Sequence, residues 1–150
     1  MREFHTANEL QDAVGETLGR SQMHHIDQSQ VDTFADLTGD HQWIHIDPER
    51  AKAGPYGGTI VHGLLTMALS QHMSREVWDV VTRKMGLNYG NNKLRFPAPL
   101  PVPSDISVVV ELLEVGNRGG LCQVTSRVTT EAIGIDKPVC VFEPITLFQL

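Results

Sequence analysis

The chain has 150 residues, with 18 acidic and 12 basic side chains and a formal net charge of −6. This length suits a single domain, residues 1–150, that buries roughly two thirds of its unfolded surface. An acidic chain without a run of Lys or Arg lacks the basic surface that nucleic-acid binding requires. There is no charged-then-apolar leader and no apolar run of spanning length, so we expect a cytoplasmic protein without a membrane partner.

The first third of the chain alternates helical and extended patterns. Residues 1–14 predict a short helical lead-in, and residues 17–26 predict an extended segment. Asp27 matches a helix N-cap, with Gln30 three positions later to complete a capping box. Gly39 is expected to end this helix. The apolar stripe of the helix is predicted to contain Val31, Phe34, Ala35 and Leu37.

A second short helix is predicted to begin at Asp47-Pro48 and to break at Gly54-Pro55. His45 is therefore expected in an irregular connection between two helices, a place where catalytic groups are common. The longest helical pattern covers residues 60–78 and is apolar over most of its circumference, which predicts an enclosed helix. Its small polar edge is predicted to consist of Thr66, Ser70 and Ser74.

Strand patterns dominate the rest of the chain. The segment 86–92, rich in Gly and Asn, predicts a loop, and the proline-rich segment 97–103 predicts a rigid connection. One helix enclosed by long antiparallel strands predicts an α+β fold, with the sheet wrapped around the central helix. Pro144 marks an edge strand or a bulge. Strands are predicted at 92–96, 106–115, 121–130 and 139–148, and the turn between the middle two at 116–120.

The two cysteines, Cys122 and Cys140, both lie in strand-like runs. In a chain expected to be cytoplasmic, such positions predict buried, reduced thiols and not a disulfide.

Two stretches carry the candidate chemistry. The first, residues 38–47, reads TGDHQWIHID and places Asp40 and His45 five positions apart. Such a pair can divide proton donation and proton acceptance between two side chains. The second, residues 57–65, is a glycine-rich turn running into the apolar helix, whose N-terminal amides can hold an oxyanion. His41 and His45 have a zinc-like spacing, but no Glu follows His41 and the segment is not one helix, so we expect no metal.

The runs Gly39-Asp40-x-x-x-x-His45-x-Asp47-Pro48 and Ile60-Val61-His62-Gly63-Leu64-Leu65 together resemble the hydratase 2 motif of the MaoC-like dehydratases. The run from Gly39 to Ala51 is most similar to the NodN-like branch. This resemblance implies a hot dog fold, usually in a homodimer, and (R)-specific hydration of enoyl-CoA without a cofactor. It also implies that Asp40 and His45 share one water and that the Gly63 amide holds the thioester oxygen.

Other positions bear on substrate binding. Gln42 stands where many family members carry Asn and can still orient a water, whereas Trp43 replaces a common Pro and bears on the acyl pocket. His62 is a candidate lining residue, with capping and packing as its alternative role. Lys93 and Arg95 could meet the phosphates of coenzyme A, or they could be solvated charges at a strand edge.

The resemblance predicts an (R)-specific enoyl-thioester hydratase/dehydratase that reversibly converts 2-enoyl-CoA, or the acyl carrier protein thioester, to the (R)-3-hydroxyacyl product. One alternative is an acyl-CoA thioesterase of the same fold. That enzyme needs an acidic residue on the central helix, and none occurs before Glu76. The other alternative is a non-catalytic acyl-thioester-binding subunit.

Overall fold

The computed structural model describes residues 1–150. Its helices are α1 (Ala7–Asp12), α2 (Gln28–Thr38), α3 (Trp43–Ile46), α4 (Pro48–Lys52) and α5 (Gly63–Val77). The strands are β1 (Arg2–Phe4), β2 (Thr17–Arg20), β3 (His24–Ile26), β4 (Trp78–Val80), β5 (Met85–Arg95), β6 (Ser104–Arg118), β7 (Leu121–Ala132) and β8 (Cys140–Gln149). None of the helices combines the length and the hydropathy that crossing a bilayer requires.

The main sheet has six strands in the order β2-β6-β7-β8-β5, and β3 also pairs with β6. All of its pairings are antiparallel, while β1 and β4 form a separate parallel pair. Alternate residues of β6 are fully buried on the face that receives α5, as the two-residue period of a strand requires. These are Ile106, Val108, Val110 and Leu112. The predicted α+β class, a hot dog fold with a sheet around a central helix, is confirmed.

Helix α5 is only half enclosed, in contrast to the prediction of an apolar helix buried all round. The small hydroxyl side chains that were predicted to form its polar edge, Thr66, Ser70 and Ser74, are all buried. Ser70 Oγ lies 2.7 Å from Thr130 Oγ1 and also bonds the carbonyl of Thr66, which satisfies the hydroxyl in the core. The outer face of the helix is exposed along Leu64, Ala68, His72 and Arg75.

The segment 86–92 is not a loop but the middle of β5, which pairs with β8 along its length. The pairing register shifts twice, between Asn88 and Gly90 and between Asn91 and Leu94. Gly and Asn therefore mark bulges in an edge strand, where unpaired residues are tolerated. Pro144 lies opposite Asn91 at the second shift, so the predicted bulge is confirmed, although β8 itself is an internal strand.

Strand β6 continues to Arg118, so the predicted five-residue turn is shorter than expected. Only Gly119 and Gly120 form it, with φ angles of 59° and 84° that favour glycine. At the other end of the chain, the helical lead-in is reduced to α1, because Arg2–Phe4 pairs with β4. Both cysteines are free and buried, as predicted, and burial raises the pKa of Cys140 to about 12.

The N-terminus of α2 has the predicted capping box. Asp27 Oδ1 accepts a hydrogen bond from the Gln30 amide at 3.1 Å, and Gln30 Oε1 accepts one from the Asp27 amide at 3.0 Å. Gly39 ends the helix in the left-handed conformation, with φ 78°. The prediction that Leu37 belongs to the apolar stripe is wrong, because this side chain lies on the outer face of α2 and is 81% exposed. The end of α2 at Gly39 therefore determines the position of Asp40, the next residue.

Candidate active site

Asp40 follows the left-handed turn at Gly39 and lies at the rim of a cleft. Its side chain is exposed, and its amide donates to Thr38 Oγ1 at 3.4 Å. Its main-chain carbonyl accepts a hydrogen bond from Nε2–H of the buried His62 at 3.0 Å. The carboxyl group can therefore meet solvent while the backbone that carries it is anchored.

His45 lies on α3, a one-turn helix inside the connection that was predicted to be irregular. It is buried, and its Nδ1 lies 2.7 Å from the carbonyl oxygen of Ile60. A carbonyl can only accept, so Nδ1 carries the proton and donates it to Ile60. The remaining nitrogen, Nε2, then has a free lone pair and can accept a proton from another molecule.

The position of His45 depends on a brace that the sequence did not reveal. Gln28 Nε2 donates to the carbonyl of His45 at 2.7 Å, and Gln28 Oε1 accepts from Thr59 Oγ1 at 2.7 Å. The amide of Ile60 donates to the carbonyl of Ile44 at 2.9 Å. These bonds tie α2, α3 and the segment before α5 to one another. A single Gln near a helix N-terminus gives no sequence signal for such a role.

The environment of His45 favours its neutral form. Burial lowers the pKa of His45, and the neighbouring His62 acts in the same direction. The hydrogen bond to the Ile60 carbonyl and the charge of Asp40 oppose this effect without overcoming it. A neutral imidazole at physiological pH is the form that a general base requires.

Asp40, His45 and His62 come together at the cleft. One side-chain nitrogen or oxygen atom from each lies within 4.8 Å of the others, which leaves room for a bridging water between donor and acceptor. The rings of His45 and His62 are stacked, with centroids 3.8 Å apart and planes 24° apart. Because imidazole lone pairs lie in the ring plane, stacked rings cannot both aim at one ion. The arrangement suits proton transfer better than metal binding.

Gly63 begins α5 on the opposite side of the same cleft. The first amides of a helix have no partner within it, and here no side chain caps them. These amides form the positive end of the helix dipole. A Cβ on Gly63 would lie 2.8 Å from the ring of Phe96, which explains why glycine is needed here. The helix N-terminus can therefore hold a developing negative charge at the place where the side chains of Asp40 and His45 converge.

The cleft has a volume of about 410 Å³, and Asp40, His45 and Gly63 all line it. An adjoining, mostly apolar cavity of about 270 Å³ shares His45, Gly63 and Phe96 with it and extends towards Val139. Phe96, which was not predicted as a site residue, lines both spaces. The lining of the cleft comprises Phe34, Thr38, Asp40, His45, His62, Gly63, Leu64 and Phe96.

Four residues predicted to bind substrate line neither space. Gln42 is the exposed N-cap of α3, and Trp43 packs against Gly54 beneath the guanidinium of Arg50. The remaining two lie on β5: Lys93 Nζ is 3.7 Å from Glu143 Oε1, and Arg95 donates to the Leu94 carbonyl. Their roles towards substrate stay predictions, and a role for Lys93 and Arg95 would require substrate to reach the outer strand.

A family model described as MaoC like domain matches residues 9–133. The 3-hydroxyacyl-thioester dehydratase Z of Mycobacterium tuberculosis is 46% identical over 149 residues, which cover 99% of each chain. Nodulation protein N of Rhizobium leguminosarum bv. viciae is 39% identical, over 91% of this chain and 86% of that protein. A MaoC-like dehydratase from Rhodospirillum rubrum has a TM-score of 0.74 at 22% identity, covering 94% and 97% of the two chains. At that identity, the structural match shows a common fold.

Proposed function

The chain belongs to the MaoC-like domain family, and from this premise we propose that it reversibly adds water to a 2-enoyl thioester. The product would be the (R)-3-hydroxyacyl thioester, with coenzyme A or acyl carrier protein as the thiol carrier. The name of the mycobacterial relative, a 3-hydroxyacyl-thioester dehydratase, supports a thioester as the substrate class. The stereochemistry rests on the resemblance of the Gly39–Pro48 and Ile60–Leu65 runs to the (R)-specific hydratases.

In this mechanism a water molecule lies between Asp40 and His45. Nε2 of His45 accepts a proton as the water oxygen bonds to the β-carbon, and that proton passes through the Asp40 carboxylate to the α-carbon. The pair thus carries one proton from the water to the substrate and ends the cycle in its starting protonation state. The reverse sequence of proton transfers expels water from the 3-hydroxyacyl thioester. Proton transfer by positioned side chains contributes roughly 10²–10⁴-fold to a rate, and these groups require neither a metal nor an organic cofactor.

As water adds, negative charge develops on the thioester oxygen. The uncapped amide of Gly63 lies across the cleft and is the donor that we assign to this oxygen. A preorganised oxyanion donor is worth about 3–4 kcal/mol in transition-state stabilisation. The adjoining apolar cavity, reached past Phe96, offers space for the acyl chain.

The observation that carries this proposal is the convergence of three groups on one cleft: a carboxyl group, an imidazole with a free nitrogen, and an uncapped helix amide. The test is to supply 2-enoyl-CoA substrates of increasing chain length and follow the loss of enoyl-thioester absorbance. The proposal predicts a 3-hydroxyacyl product of (R) configuration. Release of free thiol would instead indicate a thioesterase, and thermal stabilisation by acyl-CoA without turnover would indicate a binding subunit.

The position of Glu76 disfavours the thioesterase alternative. This residue is the first acid on α5 and lies near its C-terminal end, far from Gly63. Its carboxylate is already engaged, at 2.5 Å from Nε2 of His24 and 3.2 Å from the amide of Gln22. No acidic side chain on this helix is therefore available to attack a thioester held at Gly63.

The homodimer implied by the resemblance is also part of the proposal. Strand β5 is the last strand of the main sheet: it pairs with β8 on one side and with no strand on the other. Nearly all of its side chains are exposed. Its apolar members Met85, Leu87 and Tyr89 are each more than 40% exposed. An edge strand of this length and character is normally covered, and a second copy of the chain would cover it.

A further inference from the structure

We propose that His62 is a positioning residue that sets the geometry of both Asp40 and His45, and that it does not itself bind substrate. This inference rests on the proposed function, because it concerns the same acid–base pair. It gives a specific role to a histidine that the sequence offered only as a pocket-lining candidate. Two contacts of the imidazole and one nitrogen without a hydrogen-bond partner carry the argument.

The first contact fixes the backbone of Asp40. His62 Nε2 lies 3.0 Å from the carbonyl oxygen of Asp40, and that oxygen can only accept. The imidazole must therefore carry its proton on Nε2. The bond links the residue before α5 to the residue that follows α2, so it holds the exposed carboxyl at a fixed distance from the helix N-terminus.

The second contact fixes the plane of His45. The two imidazole rings stack with centroids 3.8 Å apart, while Phe34 lies 5.0 Å from the His62 ring. His45 is otherwise held through its main chain and the Nδ1 hydrogen bond to Ile60. The stacked His62 ring packs on one face of His45, resists tilting of the imidazole about that bond and so supports the direction of Nε2.

The third observation concerns the other nitrogen of His62. Nδ1 is buried without a hydrogen-bond partner, and the residue as a whole is only 2% exposed. A second proton on Nδ1 would place a positive charge in the core, stacked on His45. A buried unpartnered nitrogen is unfavourable, so a phenylalanine would suit the packing better. Histidine is required for its Nε2–H bond to Asp40.

Two substitutions separate these contacts. His62→Phe keeps a ring to stack on His45 and removes the donor to Asp40, whereas His62→Gln keeps a donor near the position of Nε2 and removes the stacked ring. His72→Gln is the matched control, because His72 lies on the exposed face of α5, the helix that follows His62. Steady-state hydration kinetics over a range of pH distinguish the proteins.

We expect kcat to fall about 100-fold in His62→Phe and about tenfold in His62→Gln, as misplacement of catalytic groups does. The KM should stay within about twofold of the wild-type value, since binding contacts are unchanged. Asp40 and His62 are the ionisable side chains that act on His45. Because His62 is neutral in this geometry, the charge of Asp40, which raises the pKa of His45, is the contribution that changes when the bond to Asp40 is lost. His62→Phe should therefore move the acid limb of kcat/KM to lower pH, which a loss of folded protein would not do.

A rise in KM at unchanged kcat would overturn the proposal and make His62 a substrate contact. Unchanged kcat, KM and pH limb in both variants would also overturn it. If the variants do not fold, ¹⁵N NMR of the wild-type protein decides: the Nε2–H tautomer of His62 is expected, and the Nδ1–H tautomer contradicts the proposal. A wild-type protein without hydratase activity would refute the proposed function, whereas the NMR result would still test the geometry.

Discussion

At the scale of single residues, the two nitrogens of His45 have different partners. Nδ1 is committed to the Ile60 carbonyl, which leaves Nε2 as the proton acceptor. Burial favours the neutral ring, although a charged Asp40 nearby works against it. The same side chain is thus oriented by one hydrogen bond and kept unprotonated by its surroundings.

This environment predicts the pH dependence of the reaction. Since the pKa of His45 is lowered, its neutral form persists below the ordinary histidine value of about 6.5. Hydration activity should be retained as pH falls to that value and should be lost only at lower pH, when His45 takes up a proton. The measurement is kcat/KM for hydration between about pH 4.5 and 8. An acid limb at or above pH 6.5 would contradict this assignment.

Gly63 makes a second prediction at this scale. In Gly63→Ala, the new methyl group would conflict with the Phe96 ring, whose far edge would have to move. We expect a folded protein in which kcat/KM falls at least tenfold, because the displaced ring enters the space in front of the amide. The double variant Gly63→Ala/Phe96→Ala is the control. It should recover part of the loss, and equal losses in the two proteins would place the effect elsewhere.

The sequence predicts Asp40, His45 and Gly63 as a set because the family motif preserves their spacing, and the structure places all three on one cleft. Phe96 and Gln28 could not be found this way. Phe96 reaches Gly63 from the end of β5, and Gln28 reaches His45 from α2. Both contacts depend on how separate elements meet, and neither residue type stands out in its own segment.

At the scale of elements, α3 is a single turn held by its neighbours. A helix this short is not stable by itself, so its position depends on Gln28 and Ile60. Sequence reasoning found the surrounding stop and start signals at Gly39 and Asp47 but read the turn between them as irregular. The four residues 43–46 are too few to show a helical period.

The Gln28 brace can be tested directly. Gln28→Ala would leave the buried Thr59 hydroxyl without its acceptor and the His45 carbonyl without a side-chain donor. Such losses cost about 1–3 kcal/mol each, so we expect a lower free energy of unfolding in urea together with a reduced kcat. Gln22→Ala, at an exposed position, is the control and should be near neutral. A Gln28 variant as stable and active as wild type would show that α3 is held by other contacts.

The exposure of one face of α5 and the extended conformation of β5 both depend on contacts with other elements, which local sequence patterns do not show. Periodicity showed that the helix was apolar almost all round, but it could not show which part faces the sheet of the same chain. The small hydroxyl residues can pack inward because the Ser70 hydroxyl forms a hydrogen bond with the Thr130 hydroxyl of β7. In β5, Gly and Asn resemble a loop in sequence, yet hydrogen bonds to β8 hold them in an extended strand.

At the scale of the whole molecule, these exposed surfaces predict a homodimer built on β5. Leu87→Lys places a charge in the middle of that strand and should shift the protein from dimer to monomer. Ile133→Lys, at another exposed apolar position outside the sheet edge, is the control and should leave the dimer intact. Sedimentation velocity measures the difference. A wild-type protein that is monomeric at micromolar concentration would contradict this interpretation of the edge.

The proposed chemistry is tested most directly by removing its base. The measurement is the rate of crotonyl-CoA hydration by wild type, His45→Gln and His41→Gln. His41 is the control position, because in the wild-type protein its exposed imidazole bonds Asp36 near the same segment. Wild type and His41→Gln should form (R)-3-hydroxybutyryl-CoA at similar rates, and folded His45→Gln should be slower by at least about 100-fold. Undiminished turnover by folded His45→Gln would contradict the acid–base mechanism.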